Sequence, residues 1–294
     1  MRFLKGLGVS VLSFLLFLSL SIFGLVLMLN QTILNPDFVV SEVDKLDLAP
    51  LVQELVSQQF PKEAKFMAQG LGDTIADLKP WIKEQVSALT YSGYDYLRGR
   101  SQRLSVVIPL EPVKNSLKDN LRQVILASPP PELAGASRAQ IEQYFNEFYQ
   151  QFTKNIPATF EVNESSFPTE VQTTLRQARQ AISYVELSYK VLIGFMLLLV
   201  LGIILINRQV RSTSRGLGIN FLSIGVLEYA SIFIFNRLLG PQLTQLNLPS
   251  SVQAWLPQFL GDLLAPLEMF SIGLAVAGVA LIIVSVIYKR EPSL

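Results

Sequence analysis

The chain has neither cysteine nor histidine in its 294 residues. Without cysteine there are no disulfides, so any exported part must fold on its own core. That suits a bacterial or archaeal envelope better than a disulfide-rich secretory route. Without histidine, Ser-His-Asp triads, imidazole general bases and the usual zinc ligand sets are excluded together. Charge is scarce as well: 16% of residues are Asp, Glu, Lys or Arg, the formal net charge is +1, and no basic tail marks a nucleic-acid partner. No Gly-rich phosphate loop, nucleophile elbow or cluster with metal-ligand spacing occurs, so no catalytic residue, metal or cofactor is expected.

What the chain does have is apolar sequence, half of its residues, gathered in four long blocks that read as membrane spans. Residues 7–29 carry no charge and would give about 34 Å of helix, enough to cross a bilayer. This block ends Val26-Leu27-Met28-Leu29-Asn30 rather than in small residues, which favours an uncleaved anchor over a signal peptide. Further on, Val171, Leu175, Ala178, Ile182, Val185 and Tyr189 recur at steps of four and three, holding one apolar seam on one helix face. Neither Pro nor Gly interrupts the seam before the apolar run 191–206. The pattern predicts one helix, unbroken from near Pro168 to Ile206. Blocks 217–239 and 267–288 complete the set.

Positive charge orients these spans. Arg2, Lys5, Arg208, Arg211, Arg215, Lys289 and Arg290 flank them on one side, whereas 240–266 has no Lys or Arg. The predicted topology is four spans with both termini in the cytoplasm. The expected division is 1–29, a cytoplasmic N-terminus and first span; 30–188, an extracytoplasmic domain with a membrane-proximal stalk helix; and 189–294, three further spans. The last part would include a cytoplasmic basic loop at 207–216 and an outer amphipathic loop at 240–266.

The fold class expected is mainly α, with at most a small two-stranded element. Asn35-Pro36 caps and starts a short helix. Pro50 opens a second helix, a third begins near Lys62, and Pro80 starts or kinks a fourth carrying Trp81, Ile82, Val86 and Leu89. Gly93 and Gly99 bracket an expected turn around the aromatic patch 91–96. Residues 104–108 and 159–162 are the strand candidates. Between them, Val113 to Ile125 and Ile141 to Phe152 keep helical spacing on either side of Pro129-Pro130-Pro131.

The first site candidate is Glu228, which falls near the centre of the third span, where an ionised carboxylate costs several kcal/mol unless paired, protonated or wet. Asn220, Ser223, Glu228 and Ser231 fall within an arc of roughly 140°, expected to face the bundle interior. As function this is a proton or cation relay; as structure it is a protonated Glu hydrogen-bonded to a neighbouring helix. The structural reading is preferred, because one carboxylate makes a poor pathway. Arg237 and Glu268, near the outer ends of consecutive spans, could form an outer ion pair. Ser271, Gly273, Ala277 and Ala280 offer a small-residue face with Gly273-x-x-x-Ala277 spacing. Asp73, Asp77 and Glu84 could share a helix side, and Asp44 lies near Asp47; a solvated charged face is the preferred account of both.

The motif Asn35-Pro36-Asp37-Phe38 straight after the first span, then Leu46-Asp47, and Ile108-Pro109-Leu110 leading into Val113-Lys114, resemble a set of uncharacterised bacterial membrane proteins. The resemblance covers the exported domain and its flanking spans. It implies the same topology and no activity.

Three functions remain in view. The preferred one is a non-enzymatic envelope protein whose extracytoplasmic domain binds a protein partner or ligand, with the bilayer as its other partner. The alternative is a transporter or channel component using Glu228. A hydrolase or transferase ranks last, since His and Cys are absent.

Overall fold

A computed structural model describes residues 2–46, 73–127, 129, 133, 135–243 and 248–288. The helix expected from Pro50, the helix expected from near Lys62 except its end at 73–77, which is helical, Asp47, and most of Pro129-Pro130-Pro131 lie outside these residues. The described elements run α1 (Arg2–Gln31), α2 (Pro36–Lys45), α3 (Lys79–Leu97), β1 (Ser105–Pro109), α4 (Glu111–Ala127), α5 (Arg138–Thr153), β2 (Thr159–Asn163), α6 (Thr169–Asn207), α7 (Val210–Leu243) and α8 (Ser250–Ile287). The protein is mainly α, with one small antiparallel sheet in which Val106 faces Val162 and Ile108 faces Phe160.

The chain divides into two compact units. One comprises Met1–Phe38, Gln180–Leu246 and Leu256–Leu294; the other comprises Val39–Arg179 and Asn247–Trp255. α1, α6, α7 and α8 are each long and apolar enough to cross a membrane. Their outward faces carry large apolar side chains such as Leu198, Leu205, Met269 and Val286, 67–76% exposed, a surface that a bilayer would solvate. Inside this bundle all four helices contribute to one core of Leu16, Leu20, Leu199, Ile203, Leu217, Ile224 and Leu274.

Helix direction within the bundle follows from its contacts. Gly202 abuts Leu12, Gly8 abuts Ile206, and Phe23 stacks on Tyr189 at 5.3 Å, so α1 and α6 are antiparallel. The amide of Asn220 donates to the carbonyl of Ser13, bringing the first halves of α1 and α7 together. α7 and α8 approach more closely. A Cβ on Gly218 would sit 2.9 Å from the carbonyl oxygen of Gly278, one on Gly225 2.5 Å from that of Ser271, and one on Gly278 2.5 Å from the amide nitrogen of Leu222. Only glycine permits backbones this near.

Several boundaries differ from expectation. α6 is unbroken over 39 residues, about 58 Å, as the seam predicts. The basic connection, however, spans only Arg208 and Gln209, Arg208 with φ of 52°, because Arg211 and Arg215 already belong to α7. Residues 250–266 form no separate loop: they are the first part of α8, which carries Pro257 and Pro266 inside it. Gly93 makes no turn either. α3 continues to Leu97, and the chain reverses at Gly99, φ 73°.

In the other unit, α4 and α5 pack Leu117, Leu121 and Ile125 against Ile141 and Phe145. The phenol of Tyr149 donates to the carbonyl of Lys114 at 2.7 Å, tying the two helices. α5 begins with a reciprocal cap between Ser137 and Gln140. Asn35 starts α2 by accepting from the amide of Asp37 at 3.1 Å, and Pro80 starts α3 rather than kinking it.

Candidate functional site

Two places bear on function, one in each unit. In the bundle, both carboxylate oxygens of Glu228 are shielded by surrounding atoms and neither has a hydrogen-bond partner. The expected hydrogen bond to a neighbouring helix is therefore not formed. Around α7, at about 100° per residue, Glu228 falls between Ile224 and Ile232, both buried, whereas Ser223 and Ser231 are exposed. The polar arc thus does not face inward as a whole. Asn220 and Glu228 turn toward neighbours, while Ser231 donates to the Leu227 carbonyl of its own helix.

The glycine contact explains this phase, because Gly218 and Gly225 fix which side of α7 meets α8. It also sets register. Gly225 lies against Ser271 and Ala275, so three residues further on Glu228 is level with 268–272, and twelve further on Arg237 is level with 259–263. No ion pair joins Arg237 to Glu268 among the described residues, and the register places Glu268 nearer the level of Glu228. A Cβ added at Gly273 would meet nothing within 4 Å, and the residue is exposed. Of the expected small residues Ser271 does lie at the α7 contact, where its companions are Ala275 and Gly278.

In the second unit, a cavity of about 120 Å³ opens between α2, the helical residues 73–77 and α3. Val43, Leu46, Ile75, Ile82 and Val86 wall it, and Asp44, Lys79 and Lys83 stand at its edge. Lys83 bridges to Asp44 at 2.6 Å, joining the two helices that form the walls. An apolar cavity near 150 Å³ takes a benzene-sized guest, so this one suits a single apolar side chain or a short alkyl end. α2 is anchored at its back. The indole N–H of Trp255 donates to the carbonyl of Glu42 at 3.1 Å, and Glu42, itself buried, accepts from Lys45 at 2.6 Å.

The acidic residues do not assemble a cation site. Asp77 accepts from the amide of Asn120 at 2.8 Å, Asp44 is paired with Lys83, and no group of three acidic side chains able to hold a metal occurs among the described residues. Nothing in the sequence singled out the cavity; its walls come from two helices whose apolar stripes were legible but whose pairing was not. Compared with family models, with curated proteins and with solved structures, the chain finds no match.

Proposed function

We propose that this is a non-enzymatic, multi-pass envelope protein whose domain at 30–188 lies outside the cytoplasm and binds a partner or ligand through an apolar group. The cavity between α2 and α3 carries this reading: an apolar recess with charged groups at its edge is the feature a binding module needs. The orientation rests on Lys5, Arg208, Arg211 and Arg215. The ammonium of Lys5 donates to the carbonyl of Asn207 at 3.3 Å, so these cations gather at one end of the bundle, and such ends face the cytoplasm. The likeness to uncharacterised bacterial membrane proteins agrees with it.

Native mass spectrometry of the full chain taken from its membrane tests the binding role. Val86→Trp fills the cavity, and Val276→Trp, on an outward face of α8, is the control. An adduct retained by the wild type and the control but lost in Val86→Trp is expected; an adduct indifferent to Val86→Trp, or none, sinks the reading. Orientation is tested by single-cysteine labelling, since the chain has no cysteine of its own. Arg100→Cys should label from outside and Ser212→Cys only from inside.

The unpartnered carboxyl of Glu228 favours a second reading, a transporter or channel component in which an exchanging proton or cation satisfies that group. Glu228→Gln then abolishes an ion-dependent phenotype while folding and insertion persist. A silent Gln variant removes this reading.

A further inference from the structure

We propose that the turn closing α3, together with Arg176 and Arg179 of α6, is a binding site for a phosphoryl group. Segment 30–188 is acidic, with 15 Lys plus Arg against 19 Asp plus Glu, yet five of its seven arginines lie at 98, 100, 103, 176 and 179. The other two, Arg122 and Arg138, share Glu142 at 2.9 and 3.9 Å. Within the cluster, Arg100 reaches the carboxylate of Asp95 only loosely, at 3.7 Å.

Arg179 is the centre of the arrangement. Its guanidinium lies 5.1 Å from the ring centroid of buried Tyr96, and one of its nitrogens is 3.4 Å from where a Gly99 Cβ would stand. The positive φ of Gly99 folds Arg98 and Arg100 to either side of this contact. Held over the ring of Tyr96, Arg179 donates no hydrogen bond to any described residue, and neither does Arg103 through its side chain. A guanidinium held over an aromatic ring with its N–H groups unfilled is prearranged for recognition of an oxyanion.

The C-terminal dipole of α3 accounts for Arg98 and Arg100. It does not account for Arg179, which lies against Gly99 of that turn; Arg103 follows in the same turn, and Arg176, one helical turn before Arg179, donates to the hydroxyl of Thr173 at 3.4 Å. Like charges brought together repel, and an anion placed among them relieves that repulsion. A phosphoryl group has the charge and the several oxygens to meet more than one guanidinium at once. The site is separate from the cavity, since Val86 and Arg98 stand about 18 Å apart along α3 by helical rise, so either can fail without the other.

The test uses the full chain in neutral detergent, titrated with inorganic phosphate and, separately, with short-chain phosphatidylglycerol against short-chain phosphatidylcholine, binding being read by native mass spectrometry. Retention of phosphate alone identifies a soluble source, and preferential retention of phosphatidylglycerol a lipid headgroup. Arg179→Gln should weaken the retained probe tenfold or more, and Arg179→Lys should restore only part, because lysine keeps the charge and lacks the fork. Should Arg179→Gln unfold the domain, the double variant Arg100→Gln with Arg103→Gln alters exposed side chains and should weaken binding to a similar degree. A wild type that neither retains phosphate nor prefers phosphatidylglycerol overturns the proposal, as does unchanged affinity in the folded variants.

Discussion

The two units hold helices together by opposite means. Between α4 and α5 the contact is made by bulk: Phe145, Leu121 and Ile125 are each 2% exposed or less, and the helices stand apart by the width of those side chains. Between α7 and α8 the contact is made by lack of bulk, with Gly218, Gly225 and Gly278 letting backbone meet backbone. Water supplies the reason for the first, since burying apolar area there releases about 25 cal/mol per Å². A bilayer supplies no such drive, because lipid tails are as apolar as leucine, and close van der Waals fit must replace it. The same apolar composition therefore serves different ends in the two places.

That contrast breaks most visibly at Phe145. Phe145→Ala should destabilise the α4–α5 core by about 3–5 kcal/mol, the usual cost of such a truncation with its cavity. Hydrogen exchange of α4 and α5 in the full chain would show it as lost protection there. Protection persisting in both helices would mean that bulk is not what joins them.

Next in size, Gly225→Ala adds one methyl where the carbonyl oxygen of Ser271 is 2.5 Å away and should cost about 1–3 kcal/mol as overpacking. Gly273→Ala, with nothing within 4 Å, should be neutral or slightly stabilising. Melting of the detergent-solubilised protein separates them. Equal effects would show that α7 and α8 yield readily to an added methyl and that the contrast with α4–α5 is one of degree.

These two glycines also show where the sequence was legible and where it was not. Unbroken apolar length located the four membrane-length helices, and periodicity located the seam of α6 and the Ile141–Phe145–Phe148 stripe, because each is a local pattern. Asn35-Pro36 and Pro80 marked helix starts for an equally local reason. Gly93 misled, since a glycine costs a helix only about 1 kcal/mol, which tertiary packing overrides, and the loop boundary expected at 266 falls inside α8, because proline is tolerated in apolar helices whose neighbours restore lost contacts. The small-residue face failed differently. Gly273-x-x-x-Ala277 and Ser271, Ala275, Gly278 differ only in helical phase, and phase is decided by the partner helix. Glu228 was found by its chemistry, whereas its level relative to Glu268 needed the register that Gly225 sets. The contact of Arg179 with Gly99 and Tyr96 needed the fold outright, as they lie eighty positions or more apart in the chain.

The smallest effect expected is at Tyr149, where the α4–α5 contact is polar rather than bulky. Its phenol donates to the carbonyl of Lys114, which only the protonated form can do. Burial pushes its pKa up from 10.0, and the nearby carboxylates of Glu111 and Asp119 push the same way. Burial raises Tyr94 as well, against the opposing pull of Arg98. A phenol whose folded pKa exceeds its unfolded value contributes stability in full below pH 10, and that contribution falls away as pH rises through the folded pKa. Unfolding of α4 and α5 should therefore become easier above pH 10. Tyr149→Phe removes the donor, should cost about 1 kcal/mol at neutral pH, and should flatten the alkaline slope, leaving the share due to Tyr94. Lys118, 5.9 Å from the Tyr149 ring centroid, makes the other polar contact to this ring, so Lys118→Gln is measured beside it. If the alkaline slope survives Tyr149→Phe unchanged, ionisation of this phenol does not govern the alkaline loss, and the phenol bridge contributes only shape to the α4–α5 interface.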